Sequence, residues 1–165
     1  MDPGDTTLYS QFTALKTKKQ GLQTWISIGG WSFNDATNTP NTQTAFSDMA
    51  SSASNRKTFI SALTQFMTTY SFDGVDIDWE YPGAPDRGGV PADTANFVTL
   101  LQELRAAFGS DLGISCTLPS SYWYLQWFDV KSMQNYVDWF NFMSYDLRTY
   151  CESSAHMRVA TNSIV

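Results

Sequence analysis

The sequence predicts an α/β fold in which parallel strands are joined by crossover helices. Apolar segments of strand composition begin near residues 22, 73, 112 and 137, and they alternate strictly with helical segments. Each strand is followed by a loop that is rich in glycine, proline or aromatic residues. Parallel α/β proteins build their sites from such loops at the carboxyl ends of the strands. We therefore expect the functional residues at that edge of the sheet.

The first two elements are a helix and a strand. Helical spacing predicts a helix over Leu8 to Lys19, with Phe12 and Leu15 facing inward. A strand is predicted over Leu22 to Ile28, where an apolar run reaches Gly29-Gly30. Glycine tolerates positive φ, so the chain is expected to leave the strand there and enter a loop.

A second helix is predicted over Arg56 to Tyr70 and leads into an acidic strand over Asp73 to Glu80. Its apolar residues recur at helical spacing and are Phe59, Ile60, Leu63, Phe66 and Met67. Three prolines and three glycines then fall between Pro82 and Pro91. This composition predicts a surface loop without regular structure.

The third helix is predicted to begin with Asp93 as its cap and to end at Gly109. Its inward face consists of Phe97, Val98, Leu101, Leu104 and Phe108. A strand over 112–118, an aromatic loop over 121–127 and a last strand over 137–145 complete the assignment.

Composition narrows the class of protein. The 165 residues suffice for one domain with a hydrophobic core. The net charge of -6 argues against binding to nucleic acid or an anionic membrane, which would require clustered Lys and Arg. No apolar run is long enough to span a membrane. With His156 as the only histidine, a Ser-His-Asp triad or histidine metal site has almost nothing to build from.

The acidic strand is the strongest candidate for chemistry. Because side chains alternate along a strand, Asp76, Asp78 and Glu80 share one face and the apolar residues between them share the other. Carboxyl groups crowded into an interior repel one another, so the pKa of at least one is expected to rise. Glu80, the longest and the nearest to the strand's end, is the candidate proton donor. Asp78 would share a proton or orient a substrate, and Asp76 would tune Asp78.

The acidic strand has two other interpretations. A solvated acidic strand is the plainer one, but the apolar opposite face and the Pro/Gly loop that follows favour catalysis. A calcium loop beginning at Asp76 would need Gly at its sixth place and Glu at its twelfth. Those places hold Tyr81 and Arg87, so the calcium interpretation fails.

Three motifs together resemble those of glycoside hydrolase family 18 chitinases, most closely the fungal secreted members. Ser27-Ile-Gly-Gly30 is similar to SxGG, Asp73 to Glu80 to DxxDxDxE, and Met143-Ser-Tyr-Asp146 to MxYD. The resemblance implies a (β/α)8 TIM barrel of which this chain covers about strands 3 to 6, as a partial catalytic domain over 1–147. Residues 148–165 depart from the family pattern, and we expect a truncated chain with a divergent tail.

The resemblance also implies a substrate-assisted retaining mechanism. Glu80 would protonate the glycosidic oxygen while the N-acetyl carbonyl of the substrate attacks the anomeric carbon. Asp78 would stabilise the oxazolinium intermediate, and Asp76 would hold Asp78. Tyr145 would donate a hydrogen bond to the acetamido oxygen, and Asp146 would bind the same sugar.

Further substrate contacts and partners follow from the same resemblance. The carried-over contacts are Gly29, Gly30, Trp31, Tyr81 and Met143. The aromatic loop adds Trp123 as a candidate stacking platform, with packing on the barrel's outer shell as the equal alternative. The implied ligand is chitin or chitooligosaccharides, without metal or cofactor, and the implied location is extracellular.

Three functions remain open at the level of sequence. A chitin-hydrolysing enzyme is favoured because Glu80 and all the motif's aspartates are retained, whereas a sugar-binding protein has no need of a proton donor. A non-catalytic chitooligosaccharide-binding protein is the alternative, since an incomplete barrel exposes its interior. Endo-acting cleavage of N-glycan cores is a weaker third. We expect the isolated chain to show little or no chitinase activity.

Overall fold

The computed structural model describes residues 4–146. The predicted divergent tail, residues 148–165, lies outside the described residues. Within the described range, strands and helices follow one another along the chain as the α/β prediction requires.

The strands form one parallel sheet whose spatial order follows the chain, β1-β2-β3-β4. They span Trp25–Gly29 (β1), Gly74–Asp78 (β2), Gly113–Pro119 (β3) and Trp139–Met143 (β4). All four predicted strands are confirmed, although each begins one to three residues later than predicted. Because the strands are parallel, their carboxyl ends all lie at the same end of the sheet, where the site is expected.

Six helices connect or flank the strands in the described residues. They are Asp5–Thr13 (α1), Ala45–Ala50 (α2), Ala53–Tyr70 (α3), Asp93–Phe108 (α4), Tyr122–Leu125 (α5) and Val130–Met133 (α6). Short 3-10 turns occur at Ala14–Thr17, Trp31–Asn34 and Pro85–Arg87.

The convex face of the sheet carries the core. The side chains of Val75, Ile77 and Trp79 are buried on this face, and α3 and α4 supply the apolar side chains of the same core. The two helices are joined by Arg56, which donates to both carboxylate oxygens of Glu103 at 3.0 and 2.8 Å. The acidic side chains of β2 are therefore turned to the other, concave face, as strand alternation predicts.

The prediction that Phe12 and Leu15 face inward is wrong, since they are 47% and 45% exposed. Tyr9 carries the packing of α1 instead, with its ring 5.2 Å from that of Phe66. Thr13, four residues after Tyr9, is buried on the same side. The helix is thus rotated relative to the predicted face.

Asp93 is not the cap of α4 but its first residue, preceded by Ala92 at the cap position. Its fully buried carboxylate accepts hydrogen bonds from Ser47 Oγ at 2.7 Å, Gly83 N at 3.1 Å and Val90 N at 2.7 Å. A buried carboxylate requires such donors. Asp93 therefore anchors the preceding loop rather than the helix terminus.

The segment 82–91 is only in part the surface loop that its composition predicts. Pro85, Asp86, Val90 and Pro91 are exposed, whereas Ala84 is fully buried and Arg87 is 5% exposed. The bonds from Gly83 and Val90 to Asp93 fold this segment back over the carboxyl end of β2. Its glycines and prolines thus produce a compact turn against the site.

A tryptophan covers the amino end of the strands on the concave face. The indole of Trp25 lies across Gly74 and Gly113, where an added Cβ would stand 2.4 and 2.1 Å from the ring. Trp25 thereby reaches Trp139, with the ring centroids 4.3 Å apart.

Among residues 4–146, the helices do not combine the length and the apolar composition that a membrane span requires.

Candidate active site

Asp76 lies at the centre of the concave face and accepts hydrogen bonds from side chains of the other three strands. Ser27 Oγ donates at 3.0 Å and Ser115 Oγ at 2.7 Å. Thr117 Oγ1 donates at 3.2 Å and Asn141 Nδ2 at 2.9 Å. Every partner is a neutral donor, and together these four bonds fix the position of the Asp76 carboxyl group. The sequence predicted the acid but not its four partners.

Asp78 has very different surroundings. Burial, the charge of Glu80 and the charge of Asp76 together raise the pKa of Asp78 from 3.8 to about 7. Its Oδ1 is buried without a hydrogen-bond partner among the described residues. The predicted crowding of carboxyl groups is therefore present, and the carboxyl with the raised pKa is Asp78.

Gly29 and Gly30 bring the end of β1 against Asp78. Gly30 N donates to the Asp78 carbonyl oxygen at 2.8 Å, and a Cβ on Gly29 would stand 2.1 Å from that oxygen. Both glycines have positive φ, 114° and 95°. These positions therefore require glycine for close approach of the backbone, whereas their predicted contact with a substrate stays a prediction.

Glu80 follows β2 and opens into a cavity of about 330 Å³. The side chain is well buried, and only 6% of the residue is exposed. The cavity is lined by Trp31, Glu80, Tyr81, Pro119, Ser120, Ser121, Tyr124, Met143, Tyr145 and Asp146. Predicted site residues from three separate strand ends thus meet around one carboxyl group.

Two tyrosines form an aromatic wall of this cavity. The rings of Tyr81 and Tyr124 stack with centroids 4.1 Å apart and an interplanar angle of 22°. Burial and a hydrogen bond with Glu80 raise the pKa of Tyr81 above its usual range. Tyr124 Oη donates to Asp86 at 2.8 Å, and burial together with this bond raises the pKa of Tyr124 to about 12. Both phenols therefore stay protonated and can donate at neutral pH.

The aromatic loop contributes Tyr124 rather than the predicted Trp123. Trp123 is 65% exposed and does not line the cavity. Residues 122–125 form the single turn of α5, which turns alternate aromatic side chains in different directions. Composition alone marked the aromatic run, but it could not indicate which ring would face the site.

Tyr145 and Asp146 lie past the end of β4 at the open side of the cavity. Tyr145 is 61% exposed, and burial and the charges of Glu80 and Asp78 raise its pKa. Ser120 Oγ donates to the Tyr145 carbonyl oxygen at 3.3 Å. The structure thus brings the MxYD-like segment to Glu80, as predicted from the resemblance.

Asp73, the first acid of the motif, lies apart from the others at the amino end of β2. It accepts hydrogen bonds from Lys16 Nζ at 2.8 Å and from Thr24 N at 2.7 Å. Burial pushes the pKa of Asp73 upward, but these bonds outweigh burial and hold it below its usual range. Asp73 therefore joins the segment before β1 to β2 and is not part of the acid-base centre.

A second cavity, of about 600 Å³, lies at this amino end of the sheet. Its lining includes Trp25, Asp73, Arg105, Asp138 and Trp139. It shares no residue with the cavity at Glu80, and the acids of the two cavities lie at opposite ends of the strands. Within residues 4–146, no group of three or more His, Cys, Asp or Glu side chains is arranged to hold a metal ion.

A parallel sheet with carboxyl groups at the carboxyl end of one strand is the arrangement in which α/β enzymes place an acid-base site. The model of the Glycosyl hydrolases family 18 matches residues 1–163, and the chain belongs to this family. The described sheet is consistent with part of a TIM barrel.

Several relatives illustrate the similarity. Mouse (Mus musculus) Chitotriosidase-1 is 33% identical over 163 residues, 93% of this chain and 33% of that protein. From Penicillium expansum, the Probable chitinase LysM18 is 41% identical and the Secreted chitinase LysM12 36% identical, each over 126 residues. Those matches cover 74% of this chain and 8% of each relative. The chain thus spans a third or less of these curated relatives.

The fold similarity extends to solved structures. A mutant of the Ostrinia furnacalis Group II chitinase catalytic domain 2, solved in complex with (NAG)5, superposes with a TM-score of 0.74 at 27% identity. The similarity covers 86% of this chain and 36% of that one.

Proposed function

We propose that this chain carries the catalytic centre of a chitinase that hydrolyses β-1,4-linked N-acetylglucosamine polymers. The observation that supports this most is the arrangement of Asp76, Asp78 and Glu80, in which burial and the neighbouring carboxyl charges raise the pKa of Asp78 to about 7. A carboxyl that can hold a proton beside a buried glutamic acid is what proton transfer to a glycosidic oxygen requires. The aromatic cavity beside Glu80 suits the flat faces of sugars.

In the first step, the acetamido oxygen of the sugar attacks its own anomeric carbon. The bond from that carbon to the glycosidic oxygen breaks, and Glu80 transfers its proton to the departing oxygen. The sugar becomes a positively charged oxazolinium ion. Tyr145 orients the acetamido oxygen for attack, and Asp146 binds the same sugar.

In the second step, water adds to the anomeric carbon from the side the leaving group vacated. Glu80, now ionised, accepts a proton from this water, and the acetamido oxygen is released from the carbon. Asp78 stabilises the cationic intermediate between the steps. The hydrogen bonds from Ser27, Ser115 and Asn141 hold the carboxyl group of Asp76 in place beside Asp78. Two inversions give net retention of the anomeric configuration.

The proposed ligand is a chitooligosaccharide or chitin strand, and the proposed biological role is chitin breakdown outside the cell. The ligand is the one bound by the Ostrinia domain, and the location follows the secreted Penicillium relative. The net charge of -6 fits a neutral polysaccharide better than a polyanion.

The test is hydrolysis of chitopentaose by the 165-residue chain, followed by NMR of the anomeric protons. We expect slow cleavage whose first product is the β-anomer. Glu80→Gln, which cannot transfer a proton, should lower the rate by roughly 100-fold or more. Glu103→Gln is the matched control, since this glutamate pairs with Arg56 on the convex side and should leave the rate unchanged.

Two outcomes would contradict the proposal. Release of the α-anomer first would exclude retention, and an undiminished rate in Glu80→Gln would exclude its role as the acid. Binding of chitopentaose without any Glu80-dependent cleavage would favour the alternative, a non-catalytic chitooligosaccharide-binding protein.

A further inference from the structure

We infer that Arg87 is a positioning residue that holds the indole of Trp31 as a sugar-stacking platform and ties it to the backbone of Glu80. The inference rests on the proposed function for its ligand. The sequence pointed to Trp31 as a substrate contact, and nothing in the sequence pattern indicated how this loop residue would be held in place.

Arg87 joins two segments that do not otherwise share a strand ladder at this point. Its Nε donates to the Glu80 carbonyl oxygen at 3.1 Å, and its Nη2 donates to the carbonyl oxygen of Trp31. Its Nη1 lies 3.8 Å from Asp35 Oδ2 in the loop after β1. One guanidinium therefore fixes the turn after β2 against the loop after β1.

The same guanidinium covers one face of the Trp31 indole. The Cζ atom of Arg87 lies 3.7 Å from the ring centroid, within the range of a cation–π contact. Arg87 is buried, whereas Trp31 is 49% exposed and lines the cavity at Glu80. Arg87 therefore lies behind the ring, and the exposed surface of Trp31 is available to a ligand.

The chemistry of arginine explains why this contact fixes an orientation. A planar guanidinium can donate in several directions within its plane while its flat face stacks on an aromatic ring. Lysine could keep the charge but not this combination. Trp31 begins a short 3-10 turn, and its indole has an edge contact with Tyr81 at 6.5 Å between ring centroids. The Arg87 guanidinium adds the contact with the face of the ring.

The first test needs no ligand. In ¹H–¹⁵N spectra of the chain, the indole resonance of Trp31 is assigned by its loss in Trp31→Phe. We expect Arg87→Met to shift this resonance. Arg105→Met is the matched control. Arg105 lies at the other end of the sheet, and it also donates to backbone carbonyl oxygens, three in number, and to an aspartate, Asp138.

The second test is a double-mutant cycle on the dissociation constant for chitopentaose. Arg87→Met and Trp31→Ala should each weaken binding by about 10-fold, the scale of a partly desolvated cation–π or stacking contact. If Arg87 acts through Trp31, adding Arg87→Met to Trp31→Ala should weaken binding little further. A merely structural defect would instead multiply the two effects. Where Arg87→Met does not fold, Arg87→Lys replaces it in both tests.

The outcomes separate this inference from the proposed function. An unchanged Trp31 resonance in a folded Arg87 variant, or effects that multiply in the cycle, would overturn the role of Arg87. An unaltered chain that binds no chitopentaose would overturn the proposed ligand, and the indole measurement would still decide whether Arg87 positions Trp31.

Discussion

At the scale of the residue, Asp78 combines a raised pKa with an oxygen that lacks a partner. Its pKa is about 7 in the folded chain against 3.8 as the ordinary value, so the folded state binds more protons between these values. Stability therefore falls as pH rises through this window, and the penalty is complete above about pH 7. A functional site can thus contain a carboxyl group whose ionised form lowers the stability of the fold.

Replacing this carboxyl should make the chain more stable in alkali. We expect Asp78→Asn to raise the melting temperature at pH 8 by about 2–4 °C, a value discounted for the part of the side chain that water still reaches. At pH 4 the gain should vanish, because the carboxyl is then protonated. Melting curves at both pH values check this, with exposed Asp111→Asn as control. Equal gains at both would contradict the raised pKa.

The aromatic loop offers a second prediction at this scale. Tyr124→Ala should weaken binding of chitopentaose by about 10-fold, because it removes half of the stacked pair that walls the cavity. Tyr122→Ala, two residues earlier and 77% exposed, should leave the dissociation constant unchanged. Isothermal titration calorimetry measures these dissociation constants. Trp123→Ala, measured in the same way, tests the residue that the sequence analysis named as a candidate stacking platform. A larger loss there than in Tyr124→Ala would restore the original prediction.

At the scale of the element, the turn over 82–91 connects the core to the site. Asp93 anchors its two ends, Arg87 reaches from it to Trp31, and Asp86 accepts from Tyr124. Trp31 and Tyr124, which both line the cavity at Glu80, are thus each held by this one segment between β2 and α4. The geometry around Glu80 is therefore set by this turn as much as by the sheet.

Removing the anchor should loosen the whole turn. Asp93→Ala leaves two backbone N–H groups and a hydroxyl without a partner, and we expect the free energy of unfolding to fall by roughly 3 kcal/mol. Urea denaturation measures the loss. Asp86→Ala, an exposed aspartate of the same turn, should cost less than about 1 kcal/mol. Similar losses in the two variants would mean that Asp93 does not anchor the turn.

At the scale of the whole molecule, the concave face of the described sheet is open. Within residues 4–146, β1 and β4 each pair on one side only. The inward-facing side chains of β4, including Trp139 and Asn141, are exposed to solvent. Water beside the carboxyl groups weakens the electrostatic stabilisation that an enclosed site provides.

We therefore expect the 165-residue chain, purified alone, to show little chitinase activity. Initial rates on a fluorogenic chitooligosaccharide measure this, and a complete chitinase in the same assay provides the scale. Robust hydrolysis that disappears in Glu80→Gln would contradict the expectation and would mean that the open sheet suffices for catalysis.

The sequence by itself determined the order of the elements and the face on which the acids lie. Strand alternation places Asp76, Asp78 and Glu80 on one side of β2, because a two-residue period is local geometry. The three motifs indicated the family and the strand ends that would meet. These features depend on residues close together in the chain, so pattern and spacing were enough to predict them.

Only the tertiary structure decided which surroundings each side chain of the site has, and therefore which role it can take. It assigned the raised pKa to Asp78 and placed Asp73 at the far end of β2. It also turned Tyr124 rather than Trp123 to the cavity and set Arg87 behind Trp31. Burial, charge and ring contacts join residues that are distant in the chain, and no local pattern contains that information.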